Sequence, residues 1–151
     1  MWITEDVPPE PRDAYDVAKV AAEQLCRDVA RTAPGLSCVG LRVSRFFPEP
    51  DRLAAVHRMY RSVDVRDAAA AHVLALRAVV EGYDVVNVSA RSPFARSDAR
   101  ALWTDPSTLI RRRLPSVAAA FDRRGWALPD RIDRVYGVGK AASLLAGSGS
   151  G

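Results

Sequence analysis

The sequence lacks the features that mark membrane and secreted proteins. Its 151 residues contain no stretch near the roughly 18 consecutive apolar residues that a membrane-spanning helix needs. Acidic Glu5 and Asp6 follow Met1 where a secretory signal would be basic. The two cysteines, Cys26 and Cys38, have neither zinc-site spacing nor the spacing of a CxxC redox motif. We therefore expect a cytoplasmic protein with reduced thiols, no bound metal and no membrane partner.

The chain also lacks a large excess of charge of either sign. Lysine and arginine total 22 against 18 aspartate and glutamate, which gives a formal net charge of +4. The one run of basic residues, Arg111–Arg113, stands in an alternately apolar and polar segment that is typical of a solvated helix face. Hydrophobic residues make up 48% of the chain, as in an ordinary globular domain. The composition excludes a disordered tail and a collagen repeat, and we expect no nucleic-acid partner.

The spacing of apolar residues predicts alternating helices and strands. After Asp13, apolar residues recur at steps of three and four, which predicts a helix that Asp13 caps and Pro34-Gly35 ends. The near-continuous apolar run 36–44 predicts a buried parallel strand, and residues 85–88 predict another. Between them the pattern predicts a second helix over about 67–80. This alternation indicates an α/β architecture.

Proline and glycine punctuate the rest of the chain. Residues 1–12, with three prolines, and residues 47–52 are predicted to be loops. Asp105-Pro106 predicts the N-cap and first turn of a short helix, and a last helix is predicted over 139–145. The Gly/Ser stretch 147–151 is interpreted as a flexible tail.

Tyr15 and Lys19 form the sharpest candidate site. Their four-residue spacing places both side chains on one face of the first predicted helix. A phenol alone is a poor acid or base at neutral pH, and a neighbouring ammonium group stabilises its phenolate form. Such a pair can move a hydroxyl proton while a nicotinamide exchanges hydride. The alternative is an exposed ladder of Lys19, Glu23 and Arg27 without a catalytic role.

The remaining candidates are interpreted as structural residues. His57 and His72 are isolated at the level of sequence, and His72 is interpreted as a packed or capping histidine. Asp64 and Asp67 stand where a helix begins, which favours N-capping over an acid–base pair. Four aromatic residues lack interleaved basic residues, and we expect them in the core or lining a pocket: Phe46, Phe47, Trp103 and Trp126. Tyr136 and Lys140 repeat the tyrosine–lysine spacing around two glycines and are also interpreted as structural.

A series of segments carries more information in its order than any one segment does alone. The acidic, proline-rich stretch 4–13 precedes Tyr15-Asp-Val-Ala-Lys19, and Glu23 follows. Leu41-Arg42 then ends a strand before an aromatic-proline loop. The later matches are Val63–Asp67 with Ala71-His72, Val86–Ser89, Gly125-Trp126 and Arg134–Tyr136. Together they resemble the extended short-chain dehydrogenase/reductase family, specifically its NAD-dependent epimerase/dehydratase branch.

The resemblance implies a fold and a function for residues 1–146. The fold is α/β, the C-terminal part of a Rossmann-like doubly wound fold, with a YxxxK helix, late parallel strands and a small helical substrate-binding subdomain. The implied cofactor is NAD or NADP, and the implied substrate is a nucleotide sugar or a related hydroxyl or ketone compound. The resemblance leaves a homo-oligomer open.

The resemblance also assigns site residues. Tyr15 is the general acid/base, and Lys19 orients the nicotinamide ribose and tunes the tyrosine. The family's substrate-binding asparagine is replaced around Ser44-Arg45, so we expect substrate recognition to differ. The other implied site residues are Arg42 and Val43 for the cofactor, and Ser44, Arg45 and Phe46 for the substrate.

One element of the family pattern is missing from the sequence. No GxxGxxG occurs, although that turn lays a dinucleotide's diphosphate on a helix N-terminus. We therefore expect the C-terminal half of a larger enzyme, truncated, inactive by itself and without the dinucleotide-binding half. The alternative is a non-catalytic fragment or interaction module derived from that family, with exposed sheet edges that favour self-association.

Overall fold

The computed structural model describes residues 1–146, so the predicted flexible tail 147–151 lies outside the described residues. The strands are β1 (Trp2–Ile3), β2 (Cys38–Val43), β3 (Tyr83–Val88) and β4 (Val135–Tyr136). The helices are α1 (Ala14–Thr32), α2 (Asp51–Arg58), α3 (Val65–Ala75), α4 (Ala99–Thr104), α5 (Pro106–Arg113), α6 (Pro115–Arg123) and α7 (Gly139–Ala146), with a 3-10 turn at Arg96–Asp98. Within residues 1–146 no helix has the length and apolarity that a membrane crossing requires.

The predicted α/β fold with parallel strands is confirmed. β2 pairs in parallel with β3, from Cys38 opposite Tyr83 to Val43 opposite Val88, and β1 pairs in parallel with β4. Helix α1 packs on both central strands, while α3 contacts β2 and α7 contacts β3. The connection from β2 to β3 is a helical crossover, which parallel strands require.

Two hydrophobic clusters hold the described part of the chain together. One lies under the β2–β3 sheet and joins α3 to α7 through Val63, Ala71, Val86 and Ala141. The other is helical and is built from α2, α4, α5 and α6 around Leu102 and Ile110, which are 1% and 0% exposed. This second cluster forms the small helical subdomain that the resemblance implies.

The predicted helix caps are confirmed. The Asp13 carboxylate accepts the backbone N–H of Asp16 at 2.8 Å and begins α1. Asp64 accepts the N–H of Arg66 at 2.9 Å and begins α3, so it is a cap as expected. Asp105 caps α5 with Pro106 in its first turn. Short polar side chains satisfy the N–H groups that a helix start leaves free, which is why these positions are readable from sequence.

Three element predictions are corrected by the structure. The helix predicted over 67–80 is α3, which begins at Val65 and ends at Ala75, because Leu76 and Val79 (88% and 94% exposed) find no core to pack on. The predicted loop 47–52 contains the first residues of α2, a helix that the sequence pattern did not indicate. The predicted loop 1–12 begins with β1, whose partner β4 lies more than a hundred residues away.

Candidate functional site

A cleft of about 600 Å³ opens at the carboxyl ends of β2 and β3, where the chain leaves the sheet. In parallel α/β sheets this end is where ligands bind, because the strand-to-helix connections meet there. Helix α1 contributes Lys19 and Glu23 to one wall, and the strand ends contribute Val43, Ser44 and Asn87. The remaining walls come from the proline-rich loop at residues 7–12 and from Trp103, Asp133, Arg134 and Tyr136.

Tyr15 and Lys19 lie one turn apart on α1, as their spacing predicts. The Lys19 Nζ atom is 5.2 Å from the centre of the Tyr15 ring. Lys19 lines the cleft, whereas Tyr15 lies one turn before it, outside the lining residues and 68% exposed. The pair therefore presents a phenol and an ammonium group side by side next to the cleft.

The side chains of Lys19, Glu23 and Arg27 do not form the exposed ladder that was the alternative prediction. Both Glu23 oxygens accept from the Arg42 guanidinium on β2, at 2.9 Å from Nε and 2.8 Å from Nη2. These hydrogen bonds hold the pKa of Glu23 below its ordinary value, although partial burial opposes the shift. Among residues 1–146, Lys19 has no carboxylate within ion-pair distance.

Asn87 connects the walls of the cleft, although the sequence pattern predicted only that it lies in a strand. Its side-chain amide is 1% exposed and donates to the carbonyls of Ile3 (3.3 Å) and Gly137 (3.4 Å). Its backbone N–H donates to the Glu5 carboxylate at 2.7 Å. An amide in an otherwise apolar strand is the signal that identifies such a residue, since a buried amide must find partners.

The predicted substrate residues separate into two groups. Ser44 lines the cleft, and its buried hydroxyl has no hydrogen-bond partner within the described part of the chain. Arg45 instead donates to Glu49 at 2.6 and 2.9 Å, outside the cleft. Phe46 stacks on Phe47 with ring centres 4.8 Å apart, and both are exposed, so the expectation that they line a core or pocket is wrong. Of the predicted site residues, the structure groups Lys19, Arg42, Val43 and Ser44 around the cleft.

Trp103 and Trp126 lie in the pocket lining and in a packed contact, as predicted from the sequence. Trp103 lines the cleft while half exposed, and Trp126 packs edge-on against Phe121 at 5.6 Å. Tyr136 belongs to β4 and also lines the cleft. Lys140 makes an ion pair with Asp84, as its structural interpretation predicts.

His57 is not the isolated residue that the sequence indicated. It is buried, its Nδ1 lies 2.7 Å from Glu49 Oε2, and its Nε2 lies 3.1 Å from Arg61 Nη2. Arginine only donates, so Nε2 is the accepting nitrogen and Nδ1–H donates to Glu49. That hydrogen bond holds the pKa of Glu49 below its ordinary value. His72 is exposed, and its Nδ1 donates to the Ala68 carbonyl inside its own helix at 2.7 Å, so the expectation that it is a packed or capping histidine is wrong.

Comparison with known proteins relates part of the chain to a protein family. Residues 3–62, which carry Tyr15, Lys19, Glu23 and the Arg42–Phe46 segment, match the NAD dependent epimerase/dehydratase family. The resemblance to that family is confirmed. The chain is also similar in fold to a solved structure of MoeE5 in complex with UDP-glucuronic acid and NAD, with a TM-score of 0.53 and 20% identity. No curated protein matches the chain.

The alignment with MoeE5 is unequal in length. It covers 97% of this chain and 52% of the MoeE5 chain, so this chain spans about half the length of that structure. At 20% identity the likeness establishes the fold, and the epimerase/dehydratase match lies in the α1–β2 region that forms one wall of the cleft.

The described residues fit one end of the NAD that the family name specifies. Lys19, without a carboxylate partner, and the exposed Tyr15 phenol offer hydrogen bonds to a ribose. Gly40 and Gly137 offer no comparable cradle for a diphosphate. A Cβ at Gly40 would lie 2.7 Å from the Tyr83 hydroxyl, and one at Gly137 would lie 3.0 Å from Trp2 Nε1. These two glycines make room for the protein's own side chains.

The ion pair between Glu23 and Arg42 predicts a pH-dependent stability. We expect Glu23→Gln to lower the free energy of unfolding by about 2 kcal/mol at pH 7, because hydrogen bonds to a charged group are lost. The folded-state pKa of Glu23 lies below its ordinary value of 4.5, so the stabilisation is fully present above pH 4.5 and is lost as the pH falls through the folded-state pKa. Urea unfolding of both proteins at pH 7, 5 and 3 measures this difference, and a difference that stays constant down to pH 3 contradicts it.

Proposed function

We propose that the chain forms the substrate-side half of an NAD(P)-dependent oxidoreductase of the epimerase/dehydratase type. Its substrate would be a nucleotide sugar or a related hydroxyl or ketone compound. One observation carries the proposal: Tyr15 and a Lys19 without a carboxylate partner lie one turn apart beside a cleft at the carboxyl ends of two parallel strands. The epimerase/dehydratase match over residues 3–62 and the nucleotide sugar bound to MoeE5 support it.

Each residue of the pair has a separate task in this proposal. Tyr15 holds or releases a proton at its Oη atom, as general acid or base toward a substrate hydroxyl or carbonyl oxygen. The Lys19 ammonium stabilises the phenolate form and donates hydrogen bonds to the nicotinamide ribose. Bound NAD(P) supplies the group that accepts or returns hydride. The 5.2 Å between the ammonium and the ring centre is compatible with direct electrostatic support.

The strand ends form the proposed binding wall next to this pair. Arg42 and Val43 border the part of the cleft where we place the cofactor, and Ser44 follows them in the cleft wall; its hydroxyl has no partner in residues 1–146 and is buried, so it would have to turn toward the cleft to reach a substrate oxygen. Arg45 and Phe46 follow immediately, and as substrate residues they would have to leave Glu49 and Phe47, respectively. Of the three proposed substrate residues, Ser44 is the one that lines the cleft.

We place the binding site for the cofactor's diphosphate outside residues 1–146. Because the sequence has no GxxGxxG turn, and because Gly40 and Gly137 face the protein's own side chains, we propose that a separate dinucleotide-binding unit completes the enzyme and that this chain is inactive by itself. The two unpaired cysteines, Cys26 and Cys38, support placing this enzyme in the reducing cytoplasm.

The experiment that tests the function uses the chain's two lysines as a matched pair. We expect Lys19→Met to weaken binding of NAD about tenfold, because charge-assisted hydrogen bonds to the ribose are lost. Lys140→Met serves as the control, since Lys140 pairs with Asp84 and does not line the cleft. Saturation-transfer NMR detects weak binding and reports which NAD protons touch the protein. Equal affinity of the two variants, or contacts confined to the adenine, would contradict the proposed role of Lys19.

A second candidate function, a non-catalytic interaction module, is favoured by one surface feature. Within the described residues β2 pairs with β3 alone, and α1 leaves Val17 and Leu25 exposed (56% and 64%). A free strand edge beside apolar side chains promotes association with another chain or a second copy. Light scattering over a range of concentrations separates the candidates: a dimer that neither NAD nor a nucleotide sugar perturbs favours the interaction module.

A further inference from the structure

Helix α1 places two cations at ion-pair spacing from Glu23, but Glu23 pairs with neither of them. On α1, Glu23 lies four residues after Lys19 and four residues before Arg27, and both spacings place opposite charges next to each other. Arg27 is engaged elsewhere, with its guanidinium over the Tyr83 ring at 4.8 Å and donating to Gln24 at 3.0 Å. Besides the hydrogen bonds from Arg42, Arg27 contributes electrostatically to the lowered pKa of Glu23 but makes no ion pair with it. Lys19 is therefore the helix neighbour without a partner of its own that a released Glu23 carboxylate would attract.

Arg42 removes Glu23 from that neighbour. Its guanidinium takes both Glu23 oxygens in a two-pronged pair, at 2.9 and 2.8 Å, and the two side chains are only 24% and 25% exposed. Partial burial and fork geometry make such a pair stronger than a solvent-exposed helix pair of Lys19 with Glu23 would be. Glu23 is thus held on the sheet side of α1.

Arg42 is itself fixed from two directions. It belongs to β2, and its Nη1 donates to the Glu5 carbonyl at 3.3 Å. The Glu5 carboxylate in turn accepts the backbone N–H of Asn87 on β3 at 2.7 Å. A guanidinium anchored on a strand and on the cleft loop keeps its position when the cleft is empty, so Glu23 stays engaged.

The other cations of the cleft are paired within the protein. Arg12 pairs with Asp16 at 3.6 Å, and Arg134 pairs with Asp133 at 2.7 Å. Among the described lining residues, Lys19 is the side-chain cation without a carboxylate partner; the Met1 ammonium group donates to the backbone carbonyl of Asp133. Of the lining side chains, Lys19 therefore carries the uncompensated positive charge.

We propose that Arg42 is a positioning residue that holds Glu23 away from Lys19 and so keeps the Lys19 ammonium available to a ligand in the cleft. The inference rests on the proposed function only in what the Lys19 ammonium group would bind. The pairing itself is a property of the chain alone. Arg42 acts in this way through Glu23, in addition to its place in the cleft wall.

The test uses the fact that the chain contains only two lysines, Lys19 and Lys140. Amine acylation with a dilute N-hydroxysuccinimide ester, followed by peptide mass spectrometry, gives the labelling rate of Lys19 relative to Lys140. An amine held by a carboxylate keeps its proton and reacts more slowly. In Arg42→Met we expect this ratio to fall about twofold, the factor that corresponds to an i,i+4 ion pair of about 0.4 kcal/mol.

The double variant separates positioning from a structural effect. Arg42→Met combined with Glu23→Gln removes the competing carboxylate, and we expect the ratio to return to that of the unmodified protein. Loss of packing alone would not be repaired by a second substitution in the same contact. A ratio unchanged in Arg42→Met, or lowered but not restored in the double variant, overturns the proposal.

A single variant decides the case if Arg42→Met fails to fold by circular dichroism. In Glu23→Gln alone we expect an unchanged ratio, because Lys19 is not paired with Glu23; a twofold rise overturns the proposal. No cofactor, substrate or turnover enters these measurements. A negative result in these labelling experiments rules out the positioning role of Arg42 and leaves the proposed function unaffected. Unchanged NAD affinity in Lys19→Met contradicts the proposed function and leaves the pairing of Arg42 with Glu23 unaffected.

Discussion

Replacing Tyr15 by phenylalanine is expected to lower kcat by about 10²- to 10⁴-fold, the range that a positioned general acid or base contributes. The substitution removes only the hydroxyl, and Tyr15 is 68% exposed, so we expect the free energy of unfolding to change by less than about 0.5 kcal/mol. The measurement is steady-state oxidation of a nucleotide sugar with NAD, in a protein that joins this chain to a dinucleotide-binding unit. Thermal unfolding of the same variant checks the fold.

Tyr83→Phe is the matched control for that substitution. The Tyr83 hydroxyl is buried without a hydrogen-bond partner among residues 1–146 and does not line the cleft. We expect its removal to leave kcat unchanged. Turnover that persists in Tyr15→Phe, or falls equally in both variants, would show that Tyr15 is not the proton carrier.

Asn87→Ala is expected to lower the free energy of unfolding by about 2 kcal/mol, as much as Glu23→Gln. The substitution leaves the Gly137 carbonyl without its amide donor and opens space at a residue that is 1% exposed. An unsatisfied buried polar group costs about 1–3 kcal/mol, and for a chain of this size the melting temperature should fall by roughly 4–8 °C. Urea and thermal unfolding followed by circular dichroism measure both quantities.

Ser89→Ala provides the comparison within the same segment. Its hydroxyl makes one long hydrogen bond, 3.4 Å to the Ser62 carbonyl, and we expect a loss below about 0.5 kcal/mol. If the two variants unfold alike, the network that ties β3 to β1 and β4 does not stabilise the cleft. The Asn87 variant should also lose NAD contacts at Lys19, because the cleft walls share that network.

Local patterns were sufficient for the elements that bear the proposed chemistry. Asp13 marked the start of α1, and the four-residue spacing placed Tyr15 beside Lys19, because both depend only on helix geometry. The parallel β2 and β3 were predicted from short apolar runs, although each extends differently from the prediction. The end of α3 was misjudged, since Leu76 and Val79 fit an apolar helix face but contact no core.

Contacts between distant segments explain the remaining differences. β1 forms only because its partner lies at Val135–Tyr136, and a two-residue strand has no pattern of its own. His57 looked isolated because Glu49 and Arg61 meet it through the loop after β2 and the turn after α2. Phe46 and Phe47 looked like pocket residues because the sequence cannot tell that the loop turns their rings toward solvent.

The sequence by itself determined a charged and aromatic pair on one helix face, two parallel strands and the absence of a diphosphate-binding turn. These features follow from neighbours within a few residues. Only the tertiary structure decided which charge Glu23 would satisfy. Helix spacing favours Lys19, but the strand that passes beneath α1 brings Arg42 to the same carboxylate in a fork whose two side chains are only 24% and 25% exposed. A partly buried two-pronged pair outweighs an exposed helical one, and that competition leaves Lys19 without a partner beside the cleft.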